Sequence, residues 1–220
     1  MGWMAVTKAG RPLRKRAGQY HHGDLRRALL EQAVRTIEAR GADGLTLRGV
    51  GAALGVSRTA LYRHFADKEA LLAAVACEGF RLLRLSLLEA WQREGGGSAG
   101  FEAMGAAYVQ FAVAHPSHYR VMFGRLVESG ERDPALAAEG EAAFAALVDA
   151  LTAMQRHGLA RADDPLLQAQ FVWSVTHGIA MLVIDGQLRG GDEDAAALNR
   201  YAAERLRQAL SPEPASGAHA

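Results

Sequence analysis

Arg58, Thr59, Tyr62 and Arg63 fall within one short stretch, and their spacing decides what they can do. Arg58 and Tyr62 are four apart, as are Thr59 and Arg63, so on a helix these side chains occupy one side. Leu61 and Phe65, also four apart, take the opposite side and must point into a core. The outward side then presents guanidinium, hydroxyl and phenol groups, which can reach base edges and phosphates of a duplex. Ala60 is small enough to let such a helix lie close. This is recognition chemistry. The chain has no nucleophile elbow, paired-carboxylate constellation, zinc signature or nucleotide-binding loop, so neither an enzyme nor a cofactor is expected.

Such a helix needs elements to hold it. Thr46 suits a helix N-cap and is followed by a short apolar-periodic run through Val50 and Leu54. Gly55-Val56 breaks that run, since glycine readily takes the left-handed conformation that ends a helix. Ser57 is a fresh N-cap, and Arg58 to Phe65 reads as the second helix. Two short helices about a glycine turn make a helix-turn-helix, whose second helix enters the major groove. The candidate DNA contacts are Thr46, Arg48, Ser57, Arg58, Thr59, Tyr62, Arg63, His64 and Lys68.

The segment from Tyr20 to Leu72 resembles the DNA-binding domain of the TetR family of bacterial transcriptional regulators. Thr46, Leu54-Gly55-Val56-Ser57, Leu61-Tyr62, His64-Phe65 and Lys68-Glu69-Ala70-Leu71-Leu72 carry the resemblance in register. Gly49 and Gly51 depart from it: the family has larger helix formers there, and each glycine costs up to about 1 kcal/mol of helix propensity. Further on, Trp173-Ser-Val-Thr-His177-Gly178 is similar to a tryptophan–histidine–glycine signature in the C-terminal domains of one TetR subgroup.

Composition agrees. Half of the 220 residues are hydrophobic and 22% are charged, as in an ordinary globular protein. Alanine and unbranched aliphatics outweigh β-branched runs, which favours an all-α fold. The net charge of +1 hides a split: residues 1–68 carry 13 Lys/Arg against 5 Asp/Glu, and residues 69–220 carry 12 against 19. The positive field therefore lies on the segment with the helix-turn-helix, as phosphate binding requires. No apolar run approaches the ~20 residues that cross a bilayer, and the basic start lacks the apolar core of a secretory signal. No membrane association is expected. The lone Cys77 forms no internal disulfide and reads as a packing residue, so a reducing cytoplasm is the expected location.

In chain order, residues 1–19 read as a flexible basic arm carrying Lys8, Arg11, Arg14, Lys15 and Arg16. Residues 20–68 form the three-helix DNA-binding domain, with Asp24 capping a first helix to Arg40 and Gly41 stopping it. His21-His22 and His115/His118 lack a third partner at ligand spacing, so no metal is expected. Asp67 caps a long helix to about Arg93, and Lys68 in its first turn opposes the dipole, which suits a phosphate contact. Gly95-Gly96-Gly97-Ser98 reads as a flexible loop. Further helices span Phe101–Ala114, Pro116–Phe123, Pro134–Arg156, Pro165–Leu188 and Asp192–Leu210, about nine in total, and residues 211–220 read as a disordered tail. Trp91, Tyr108, Phe111, Tyr119, Phe123, Phe144, Trp173 and His177 are candidates to line a ligand cavity, with Met122 and Met154 beside them. The helix around Trp173 is apolar on nearly every side and must be buried, one face inside the subunit and the other against a second copy.

The fold class expected is thus all-α: a three-helix DNA-binding domain followed by a helical ligand-binding and dimerisation domain over residues 69–210. What the resemblance implies is a homodimer through the last two helices, a palindromic double-stranded operator, and a small-molecule effector that releases a repressor. A transcriptional activator of the same fold is the alternative. A nonspecific architectural protein would need a basic surface throughout, and the acidic C-terminal part opposes that.

Overall fold

The computed structural model describes residues 22–124, 133–188 and 191–212. The basic arm, Tyr20, His21 and tail residues 213–220 lie outside the described residues. Among those described, the elements are nine α-helices: α1 (His22–Arg40), α2 (Leu47–Ala53), α3 (Arg58–Tyr62), α4 (Lys68–Arg93), α5 (Gly97–Ala114), α6 (Pro116–Met122), α7 (Pro134–Arg156), α8 (Pro165–Ile184) and α9 (Gly191–Leu210).

Helix α1 buries Leu29, Ala33 and Ile37 at four-residue spacing, with Leu30 beside them. Gly41 ends it at φ +72°, donating its N–H to the Ile37 carbonyl at 2.8 Å. The helix starts at His22, so Asp24 lies inside the first turn and not at the expected N-cap.

Helix α4 is the longest element and the axis of the molecule. Asp67 caps it, accepting from the Ala70 N–H at 2.7 Å. Its first part buries Leu71, Leu72 and Val75 against α1, and its later turns bury Leu83, Leu87 and Ala90 against α5 and α7. Leu71 and Val75 are fully buried, and each such side chain contributes about 1.5–3 kcal/mol. One apolar core runs from Leu29 through α4 to Ala180. The expected boundary at 68–69 therefore falls on the first turn of an unbroken helix.

Three expected helix limits shift. Gly97 and Ser98 already belong to α5. The loop before it is compact, because Gly95, Gly96 and Gly97 all have φ between 63° and 77° and the Trp91 ring packs over Gly96. Helix α3 ends at Tyr62, its last turn tightening as His64 N–H bonds the Leu61 carbonyl at 3.0 Å. Helix α8 ends at Ile184 and not Leu188, because Gly186 turns left-handed and the Arg120 guanidinium caps the Ile184 carbonyl at 2.6 Å.

Helix α8 also corrects one expectation. By length and composition it could cross a bilayer, although Gln168, Gln170, Ser174 and His177 interrupt every long apolar run. Here it packs on α5, α7 and α9. It is not buried all round within one chain: Leu167 is 63% and Phe171 50% exposed, and Leu182 also faces outward.

Candidate nucleic-acid interface and ligand cavity

The helix-turn-helix is built from local bonds. Thr46 Oγ1 accepts from the Gly49 N–H at 3.1 Å, and Ser57 Oγ accepts from the Ala60 N–H at 3.3 Å. Between them Gly55 turns at φ +65°, and Val56 N–H bonds back to the Gly51 carbonyl at 2.9 Å. Val50, Leu61 and Phe65, at 3% exposure or less, join the apolar core that α1 and α4 also supply. Gly51 now has a packing reason: a Cβ there would stand 3.1 Å from Leu61 Cδ2, so glycine lets α2 and α3 close together. Leu61→Ala should cost about 2–5 kcal/mol in denaturant unfolding. A loss below 1 kcal/mol would mean that Leu61 does not anchor the recognition helix.

The other side is open. Arg48, Arg58, Thr59, Tyr62 and Arg63 are exposed, and the Arg58 guanidinium lies 5.6 Å above the Tyr62 ring. That cation–π contact narrows the positions Arg58 samples. Thr46 and Ser57 use their hydroxyls as caps and remain exposed, while His64 is half-buried. Lys68 Nζ donates to the Asp43 carbonyl at 3.2 Å, tying the start of α4 to the α1–α2 loop. A contact missed in the sequence is Arg26, whose guanidinium sits 5.3 Å over Phe65.

In the second half, α4, α5, α7, α8 and α9 line a partly open cavity of about 340 Å³. Tyr108, Phe123, Phe144 and Trp173 line it, together with Phe80, Leu83 and Phe101, which were not among the candidates from the sequence. Tyr119 and His177 stand behind this wall in a hydrogen-bonded chain. Trp173 Nε1–H donates to the Tyr108 hydroxyl at 3.0 Å, the Tyr108 and Tyr119 hydroxyls are 3.1 Å apart, and Tyr119 reaches His177 Nδ1 at 2.7 Å. The His177 ring also meets Phe123 edge-on at 4.6 Å. Trp91 and Phe111 lie away from the cavity: Trp91 packs on Gly96 and Gly100, and Phe111 on His115.

Burial sets the protonation of this chain. It pushes the Tyr108 phenol up to about 12, drives Tyr119 higher still, and lowers His177 below the ordinary 6.5. A neutral phenol both donates and accepts, so the contact between Tyr119 and His177 Nδ1 forms with either tautomer of the neutral imidazole. His115 is lowered too, by burial and the neighbouring His118. The unfolded chain then binds more protons than the folded one once pH falls below 6.5. Stability is fully present above that value and is lost as pH falls through 6.5 toward the lower folded-state values. His177→Asn should flatten part of that slope in pH-dependent melting. An unchanged slope would remove His177 from the account.

Similarity to known proteins follows the same division. The family model described as "Bacterial regulatory proteins, tetR family" matches residues 29–75, and "Tetracyclin repressor-like, C-terminal domain" matches residues 101–206. The chain belongs to the TetR family of transcriptional regulators. The first TetR match contains α2 and α3, and the second contains α7, α8, most of α5 and α9, and the Trp173–Gly178 signature. An uncharacterized HTH-type transcriptional regulator of Mycobacterium tuberculosis, Rv0681, is 28% identical over 173 residues, 77% of this chain and 75% of that protein. A structure of a protein of unknown function from Rhodococcus sp. RHA1 is 34% identical, with TM-score 0.79, covering 87% of this chain and 98% of that one. The TetR-family regulator PfmR from Thermus thermophilus shares the fold at TM-score 0.66 and 20% identity, over 82% of this chain and 97% of its own.

Proposed function

We propose that this TetR-family chain is a homodimeric repressor that binds a palindromic operator in the cytoplasm and is released by a small molecule. The observation that carries the reading is the two-sided helix pair: Val50, Leu61 and Phe65 are buried, while Arg48, Arg58, Thr59, Tyr62 and Arg63 stand together outside. A helix anchored on one side and polar on the other is the shape that reads a major groove.

The outward stripe of α8 supports the dimer. Leu167, Phe171, Gly178 and Leu182 share one side of that helix, and a Cβ on Gly178 would meet nothing within 4 Å. A second copy packing there with its own α8 and α9 buries this stripe by two-fold symmetry. Two heads then face half-sites separated by about one helical turn, roughly 34 Å, or a multiple of it.

The effector reading rests on how the cavity wall touches α4. Tyr119 belongs to α6, and α6 packs on α1 and α4. A Cβ on Gly79 of α4 would stand 2.5 Å from Met122 Sδ, so the two helices have no slack there. A shift of α6 must move α4 and the head it carries. An effector achieves this only by binding the two arrangements with different affinity.

The test is selection of bound duplexes from a random pool at fixed, near-physiological salt. A two-fold symmetric enriched motif is the expected result. Retention with no enriched motif would leave only the electrostatic attraction of the basic half and would overturn the operator reading.

A further inference from the structure

Two glycines in the middle of helices line the cavity without a local reason to be glycine. Gly105 lies in α5 and Gly140 in α7, and neither has a positive φ. Glycine in a helix interior is less stable than alanine. At two other helix-interior glycines packing accounts for the choice: at Gly79 an added Cβ would strike Met122, and at Gly100 it would come within 3.0 Å of the Trp91 ring. At Gly105 an added Cβ meets nothing within 4 Å, and at Gly140 only the Phe80 ring at 3.9 Å, an ordinary contact. What both positions supply is space.

The lining also limits the charge of an occupant. Among the described lining residues Glu102 is the one carboxylate and no lysine, arginine or histidine is present. Glu102 is exposed and faces Arg207 at 3.6 Å. The Trp173 N–H is already donated to the Tyr108 hydroxyl, which in turn lies 3.1 Å from the Tyr119 hydroxyl and 3.2 Å from His177 Nδ1. A charged ligand would lose its hydration here without a buried counter-charge.

We propose that Gly105 and Gly140 are specificity-determining positions that hold the cavity open for an uncharged, largely apolar ligand. This rests on the reading of the cavity as an effector site. Substitution at either position sets the size of molecule that enters without touching the DNA-reading face.

The test uses the full chain and two fluorescent probes of similar size, neutral N-phenyl-1-naphthylamine and anionic 8-anilinonaphthalene-1-sulfonate. Parent protein should bind the neutral probe and take the anion about tenfold more weakly or worse. Gly105→Leu and Gly140→Leu should each weaken the neutral probe about tenfold or more, with binding of the selected operator unchanged. Gly105→Ala should raise Tm by about 2–4 °C, since it adds helix propensity into open space. Equal probe affinity in parent and leucine variants would overturn the proposal and leave the cavity reading standing. A lowered Tm in Gly105→Ala would show that the space is not free, and would overturn it too. Preference for the anion would sink the uncharged class. Failure of the parent to bind the neutral probe would remove the cavity reading, and the proposal with it.

Discussion

A Leu167→Glu, Phe171→Glu double variant is expected to sediment as a monomer and to lose operator binding. Both side chains face outward on α8, at 63% and 50% exposure in the single chain. Under two-fold symmetry each substitution acts twice, so four apolar side chains leave the interface. At about 1.5–3 kcal/mol each for full burial, scaled by those exposed fractions, their loss removes roughly 3–7 kcal/mol from association, about two to five orders of magnitude. The new carboxylates would also be desolvated without partners, which adds to the effect. Folding should survive, because neither side chain belongs to the core. An unchanged Tm, monomeric sedimentation and lost binding together are the expected pattern. A dimer that persists and still holds the operator would place the interface elsewhere.

Arg58→Ala is expected to relax base preference at one position in each half-site, whereas Lys68→Ala should weaken binding about uniformly across sequences. Arg58 is exposed at the start of α3 and is held over the Tyr62 ring, which fits it for a two-point contact with guanine. Loss of such a contact costs about 1–3 kcal/mol of discrimination, a factor of roughly 5 to 150. Lys68 is committed to the Asp43 carbonyl, so its removal loosens the seat of α4 and deletes a positive charge without touching a base. Repeating the duplex selection with both variants separates the two. Relaxation of the same base position by each would defeat this division of labour.

The DNA-reading half was largely legible in the sequence because its signals are local. Thr46, Ser57 and Asp67 cap helices through bonds that span three residues, and Gly55 turns the chain where a glycine is needed. The cavity was less legible, for two different reasons. Trp173 and His177 of α8 meet Tyr108 and Tyr119 across separations of 58 to 69 positions, and no periodicity reports such a pairing. Its floor and walls mix residues that read as core, such as Phe80 and Leu83, with glycines whose contribution is an absence. Trp91 and Phe111 had the right chemistry and the wrong helix side. The helix start at Gly97 was hidden because three successive glycines read as a loop, and the Trp91 ring that organises them is seen only in three dimensions.

Helix α4 has a consequence for how this molecule comes apart. Its 26 residues run unbroken from the Asp67 cap, with Leu71 and Val75 in the head and Leu83 and Leu87 in the body. Neither half can melt without stripping the other of part of its own interior. Heating should therefore give one cooperative transition, and a molecule seated beside Leu83 should protect amides of α1 and α2 from hydrogen exchange across the full thickness of the protein. Protection at such a distance would be thermodynamic linkage through a shared strut, present even in a single subunit free of DNA.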